Sequence, residues 1–141
     1  MADRSHAIQL AVGLLVCAII LGIWIWLEQR PVERVSPPPD KALAIDKSSA
    51  AQAERKALLD RLIEQGYVRQ YARKGPASVQ VTLRPSFYEL DQPTRTRYLH
   101  AVYAYYFDGS STTDALALRD ARHGNNVGGY NPYTDGLRMY K

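Results

Sequence analysis

The chain has 141 residues, a formal net charge of +4 and a single cysteine, Cys17, with a mean hydropathy of −0.32. The lone cysteine excludes an intramolecular disulfide, so packing alone must stabilise whatever folds. The whole formal +4 falls in residues 49–141, a mildly basic stretch whose length supports one domain with a modest core.

The first element is an apolar run. Leu10 to Leu27 carries no charged side chain, and the run extends back to Ala7. As a helix, the stretch 7–27 is about 31 Å long, the thickness of a hydrocarbon core. The spacing predicts a retained transmembrane helix over 7–27 after a short tail at 1–6, because Glu28-Gln29-Arg30-Pro31 offers no small-x-small cleavage site. Trp24 and Trp26 close one end, where indole rings suit the headgroup region as membrane anchors. Ala18 and Gly22 form a small-xxx-small pair suited to contact with a neighbouring helix. Arg4 precedes the run, whereas Arg30, Arg34, Lys41 and Lys47 follow it. That distribution argues for a cytoplasmic C-terminal side. A short tail before a single span argues for the signal-anchor layout and an external, periplasmic domain on a bacterial inner membrane, which is the preferred orientation.

Residues 28–48 contain Pro31 and the triplet Pro37-Pro38-Pro39. Proline favours extended polyproline II, so this linker reads as a semi-rigid spacer of up to about 60 Å. The remaining stretch, 49–141, holds 13 basic and nine acidic side chains and all ten tyrosines, many of them expected at the surface.

Within it, Ser49-Ala50-Ala51-Gln52 fits a capping box and Gly66 a C-cap, which predicts a helix with Leu58, Leu59, Leu62 and Ile63 on its apolar side. Tyr67 to Tyr71, and then the alternating Val79, Val81 and Leu83, read as a hairpin around Lys74-Gly75-Pro76. Asp91 caps a second helix with Pro93 in its first turn; Leu99, Val102, Tyr103 and Tyr106 face the sheet. Leu116 and Leu118 mark a third strand, Arg122-His123-Gly124-Asn125 a turn and Val127 to Tyr130 a fourth strand. A further turn then leads to Leu137 and Met139. The expected fold is α+β, of α-β-β-α-β-β order, with helices packed on a mainly antiparallel sheet.

Chemical motifs are sparse. His6, His100 and His123 lie far apart, Asp120-x-x-His123 reads as a turn, and neither a P-loop nor a Gly-x-Ser-x-Gly elbow occurs. Neither a catalytic group, a metal, a cofactor nor a small-molecule substrate is implied. The candidate binding residues are basic side chains interleaved with aromatics, namely Arg69, Tyr71, Arg73, Lys74, Arg84, Arg95 and Arg97, together with Tyr130 and Tyr133 as exposed anchors for a protein partner. The leading expectation is a non-catalytic, single-pass accessory or assembly subunit whose partners are the bilayer and other subunits of an inner-membrane complex. The alternative is a tethered binder of an anionic envelope polymer or nucleic acid.

Overall fold

The computed structural model describes Ile19, Gly22, Ile23 and residues 34–140. The chain divides into two compact units, Met1–Glu33 and Arg34–Lys141. The apolar run belongs to the first; Ala18, Trp24 and Trp26 lie outside the described residues, whereas Ile19, Gly22 and Ile23 are helical and exposed. Among the described residues no helix is long and apolar enough to cross a membrane.

The second unit is α+β. Helix α1 spans Ser49–Glu64. Its N-cap is Ser48, one residue earlier than the sequence pattern suggested, because the Ser48 hydroxyl accepts the Ala51 N–H at 3.3 Å. Gly66, at φ 77°, ends the helix. The Tyr67 N–H reaches the Leu62 carbonyl and the Gly66 N–H that of Ile63, which is the Schellman pairing. Leu59 and Leu62 are buried, but Ile63 is 40 % exposed rather than part of the core face.

Strands β1 (Val68–Gly75) and β2 (Ser78–Leu83) form the expected antiparallel hairpin, with Tyr71 opposite Val81 and Arg73 opposite Val79. A short helix α2, Pro85–Tyr88, then appears where the sequence pattern gave no element. Pro85 presets φ for a first helical turn, and Phe87 is carried into the core at 0 % exposure. Helix α3, Gln92–Tyr106, starts at Asp91, whose carboxylate accepts the Thr94 N–H at 2.7 Å. The Thr94 hydroxyl and this backbone N–H together hold the Asp91 carboxyl below its ordinary value.

Strands β3 (Ala115–Asp120), β4 (Asn126–Asn131) and β5 (Gly136–Met139) follow. The sheet order is β1-β2-β3-β4-β5. Two features correct the expected topology. β3 lies parallel to β2, in register from Ser78↔Ala115 to Leu83↔Asp120, because α3 carries the chain back to the starting edge before β3 begins. The last turn also feeds a fifth strand, with Leu137 opposite Tyr130. The other pairings are antiparallel, so the sheet is mixed.

One core joins Leu59 and Leu62 of α1, Leu99, Val102 and Tyr103 of α3, and the inward row Val79, Val81, Leu83, Leu116, Leu118 and Tyr130 of the sheet. The alternate row, Ser78, Gln80, Ala115, Ala117 and Gly129, therefore lies on the sheet face away from the helices.

The segment read as a free spacer is held to this unit from Arg34 onward. The Arg34 guanidinium donates to the Pro76 carbonyl at 2.5 Å, and the Val35 carbonyl accepts the Thr112 N–H at 2.7 Å. Leu43 packs on Gly109, where an added Cβ would sit 2.9 Å from the Leu43 oxygen. Lys47 completes the attachment: its ammonium donates to the Ala104, Tyr105 and Phe107 carbonyls at 2.9, 3.0 and 3.2 Å. These are the orphan acceptors of the α3 C-terminus, and the cation also meets the negative end of the helix dipole. Burial, with Arg55 and Arg73 nearby, holds the Lys47 ammonium below its ordinary value. Lys47→Ala is expected to lower the unfolding free energy by about 1 kcal/mol. Urea melts of the full chain read this, and an unchanged midpoint would show that the contact contributes nothing.

Candidate functional site

A pocket of about 320 Å³ brings Arg69 and Tyr71 together with Lys56, Asp60, Tyr105 and Tyr106, and two further places on the described unit combine a concavity with chemistry. The first lies at the carboxyl ends of the parallel strands β2 and β3. The Ala121 N–H closes on the Leu83 carbonyl at 2.8 Å, and beyond that point the chains diverge, one into α2 and the other into the β3–β4 turn. Between them is a pocket of about 270 Å³ lined by Tyr88, Asp120, Arg122, His123, Asn125 and Val127 among others.

Asp120 is the centre of this pocket. Its Oδ2 accepts the His123 backbone N–H at 2.9 Å and pairs with His123 Nδ1 at 2.8 Å. The Tyr88 hydroxyl approaches Oδ1 at 3.4 Å. The Asp120 side chain is 10 % exposed and that of His123 is 76 % exposed. Burial pushes the Asp120 carboxyl up, but the bonds from His123 outweigh it and leave the group below its ordinary value. The result is an ionised buried carboxylate fixing an imidazole that faces water. The Tyr88 hydroxyl is pushed up by burial and by the Asp120 charge, and stays protonated.

The second place is the helix-free face of the sheet. A shallow depression of about 260 Å³ crosses β3, β4 and β5; Ala115, Ala117 and Gly129 pave it, and Asn126, Arg138 and Tyr140 stand at its margin. The cross-strand row Arg138, Gly129, Ala117 and Gln80 explains the shape, with two long side chains separated by two minimal ones. Neighbouring strands are about 4.8 Å apart, so the low floor is roughly 10 Å wide.

The basic and aromatic residues singled out in the sequence do not all remain available. Arg69, Arg73 and Lys74 are exposed on β1 and Arg84 stands before α2. Arg73 donates to the Tyr106 carbonyl at 2.9 Å and lies 5.4 Å from the Phe107 ring centre, so it caps α3 alongside Lys47. Tyr71 is half-buried, with its hydroxyl on the Leu59 carbonyl at 3.2 Å. Arg95 is half-buried with an unpartnered Nε, and Arg97 lies 5.7 Å from the Tyr98 ring centre. Arg97 is more than two helical turns before the α3 carbonyl that Arg73 caps, so these two do not share a patch.

Tyr130 and Tyr133 are not exposed anchors. Tyr130 is 5 % exposed in the core, and its hydroxyl meets His100 Nδ1 at 2.8 Å. Burial pushes that hydroxyl up to about 12. Burial also lowers the His100 imidazole, with the Arg55 charge adding to the effect. Tyr133 is half-buried; its hydroxyl donates to the Gly109 carbonyl and accepts the Leu43 N–H at 2.9 Å. Tyrosines pack here because each ring fills apolar space while its hydroxyl finds a backbone or side-chain partner. Tyr140, at 55 % exposure, is the outlying one among those described.

The sequence pattern missed Lys47 and Arg73 as helix caps, since both act across long separations. The Asp120/His123 pairing was visible as a spacing, but the pocket beside it depends on α2. No protein-family model matches the chain, and neither a curated protein nor a solved structure is similar to it.

Proposed function

We propose that this chain is a non-catalytic, single-span accessory subunit of a bacterial inner-membrane complex, with its domain on the periplasmic side, and that it binds a protein partner through the helix-free face of its sheet. The anchoring part rests on the apolar run from Ala7 to Leu27. The binding part rests on one observation: a preformed depression with a floor of Ala115, Ala117 and Gly129 on the sheet face that no helix of the described residues 34–140 covers. A partner backbone can approach such a floor closely, and a protruding side chain can enter it.

The two charged side chains that line the depression, Asp135 and Arg138, pair with each other, so its floor carries no net charge and Arg119, exposed beside it on β3, is a cation of that face outside any ion pair among the described residues. The alternative, a tethered binder of an anionic envelope polymer or nucleic acid, draws on the exposed Arg69, Lys74, Arg84 and Arg97, but Arg73 is spent on a helix end.

The experiment is copurification of the full chain from membranes in mild detergent, wild type against Ala117→Arg. The substitution fills the depression from a half-buried position facing away from the core. The expected result is a reproducible complex with the wild type, lost in A117R while the thermal midpoint of the variant is kept. A wild-type chain that runs only as a free monomer, or an A117R complex of full yield, would overturn the reading. Steep loss of polyanion binding between low and physiological salt would instead favour the alternative.

A further inference from the structure

We infer that the pocket at the carboxyl ends of β2 and β3 binds an oxyanion group, a carboxylate or a phosphate, held by the Arg122 guanidinium and His123 Nε2. This is independent of the docking reading, because the pocket lies at the end of the sheet and shares no lining residue with the depression on its face.

Where two parallel strands end side by side and their following segments separate, a crevice opens at the carboxyl ends, the position at which open parallel sheets take ligands. Here β2 and β3 end together at Leu83↔Asp120, and the crevice takes residues from both following segments, Tyr88 from one and Arg122 and His123 from the other.

The turn itself does not need its side-chain pair. Backbone bonds already close it, from the Gly124 N–H to the Asp120 carbonyl at 2.8 Å and from the Asp120 N–H to the Asn125 carbonyl at 3.0 Å. The carboxylate adds a fixed imidazole orientation. With Nδ1–H on Asp120, the other ring nitrogen is turned outward, and in the imidazolium form it donates to an oxyanion. A turn side chain as exposed as that of His123 gains little stability from such an arrangement, whereas a ligand contact gains a preorganised donor.

Charge points the same way. Three donors already occupy the Asp120 carboxylate, the His123 backbone N–H, its ring and the Tyr88 hydroxyl, whereas Arg122 makes no ion pair among the described residues and has its guanidinium available to a ligand. Guanidinium plus imidazolium presents planar donors matched to carboxylate or phosphate oxygens. The titratable and charged side chains lining the pocket are Tyr88 from α2, Asp120 from the end of β3, and Arg122 and His123 from the turn that follows.

The test is an NMR titration of the isotope-labelled full chain in detergent micelles, with inorganic phosphate and acetate as probes and chloride at matched ionic strength as the control. Saturable shifts of the Arg122 and His123 side-chain signals are expected in the millimolar range. Tighter binding of phosphate than of acetate assigns a phosphate ligand, and the reverse a carboxylate. Arg122→Gln should weaken binding roughly tenfold or more, as loss of one charge-assisted contact does, and His123→Gln should also weaken it. Arg61→Gln, an exposed change on α1, should leave it unaltered. Equal shifts with chloride, or unchanged affinity in both pocket variants, would overturn the site.

Discussion

Gly128→Ala is expected to destabilise the domain by about 3 kcal/mol or more, as overpacking against backbone and the loss of ladder hydrogen bonds combine. An added Cβ at this position would lie 2.3 Å from the Arg138 carbonyl oxygen and 3.2 Å from the Met139 Cα. Both atoms belong to the backbone of β5, so no side-chain rotation relieves the contact, and the strand must withdraw from Gly128↔Met139 and Gly129↔Arg138 pairing. The neighbouring Gly129→Ala makes the comparison sharp. Its added Cβ would meet the Leu116 carbonyl oxygen at 3.3 Å, which needs only a few tenths of an ångström of adjustment. Alanine also lowers the entropy of the unfolded chain by about 0.4–1 kcal/mol, so the net change at 129 should stay within roughly 1 kcal/mol. Urea melts of both full-length variants measure the gap, and amide exchange at Leu137 and Met139 locates it. Equal stability of the two would mean that β5 does not pack on Gly128 as described.

Asp114→Asn is expected to stabilise the protein at neutral pH by about 1 kcal/mol or more, because the amide keeps the buried shape without placing a charge there. Asp114 is 0 % exposed, and neither carboxylate oxygen has a hydrogen-bond partner among the described residues. Arg34 stands 3.9 Å away on a side chain that is 42 % exposed, too distant and too wet to compensate fully. Burial therefore pushes the Asp114 carboxyl above its ordinary value of 3.8, with the Arg34 charge pulling less strongly the other way.

The sign follows from linkage. A folded pKa above the unfolded one means that the native chain holds the proton more tightly, so this group costs nothing below the unfolded pKa. Its cost grows as pH rises through the folded pKa, and remains in full above it. The carboxyls of Asp46, Asp91, Asp108 and Asp120 are held below their ordinary values and act oppositely, losing their stabilisation as pH falls. The difference between wild type and variant isolates Asp114. That difference should be small near pH 3.8 and widen toward neutral pH, as read from urea midpoints at a series of pH values. A gap independent of pH, or an Asn variant that is less stable at neutral pH, would show that the carboxylate is satisfied in solution.

The buried hydroxyl of Tyr103, also unpartnered, shares this region of the interior with Asp114, whose charge adds to burial in raising it. Arg34 ties the same region to the segment that leads into α1. A carboxylate at position 114 thus trades stability for a charged contact with that segment.

How far the fold was legible in the sequence depends on the range of the interactions involved. Period-two alternation in Val79-Gln80-Val81-Thr82-Leu83 and helical spacing in Leu99, Val102 and Tyr103 are local signals, and they place the β2 strand and the inward side of α3 correctly. Asp91 and Gly66 are local too, since a cap acts within one turn of its helix. The capping residue of α1 shifted by one because Ser48 and Ser49 carry the same hydroxyl and only the backbone path selects between them.

The expected α+β class, the two longer helices and the strands near 79–83, 116–118 and 127–130 were thus determined by the sequence itself, through propensity, periodicity and capping, all of which operate over a short stretch of chain. The rest was decided by tertiary structure. β2 and β3 pair in parallel because α3 crosses the sheet between them. Arg73 and Lys47, which read as surface charges, spend their donors on the α3 C-terminus from distant points of the chain. Tyr130 and Tyr133, which read as exposed, are taken up by His100, Leu43 and Gly109. Asp114, an ordinary polar residue in a turn-rich stretch, becomes a carboxylate without hydrogen-bond partners only when the core closes over it. Each of these outcomes depends on which distant groups arrive beside a side chain, and local periodicity carries no record of that.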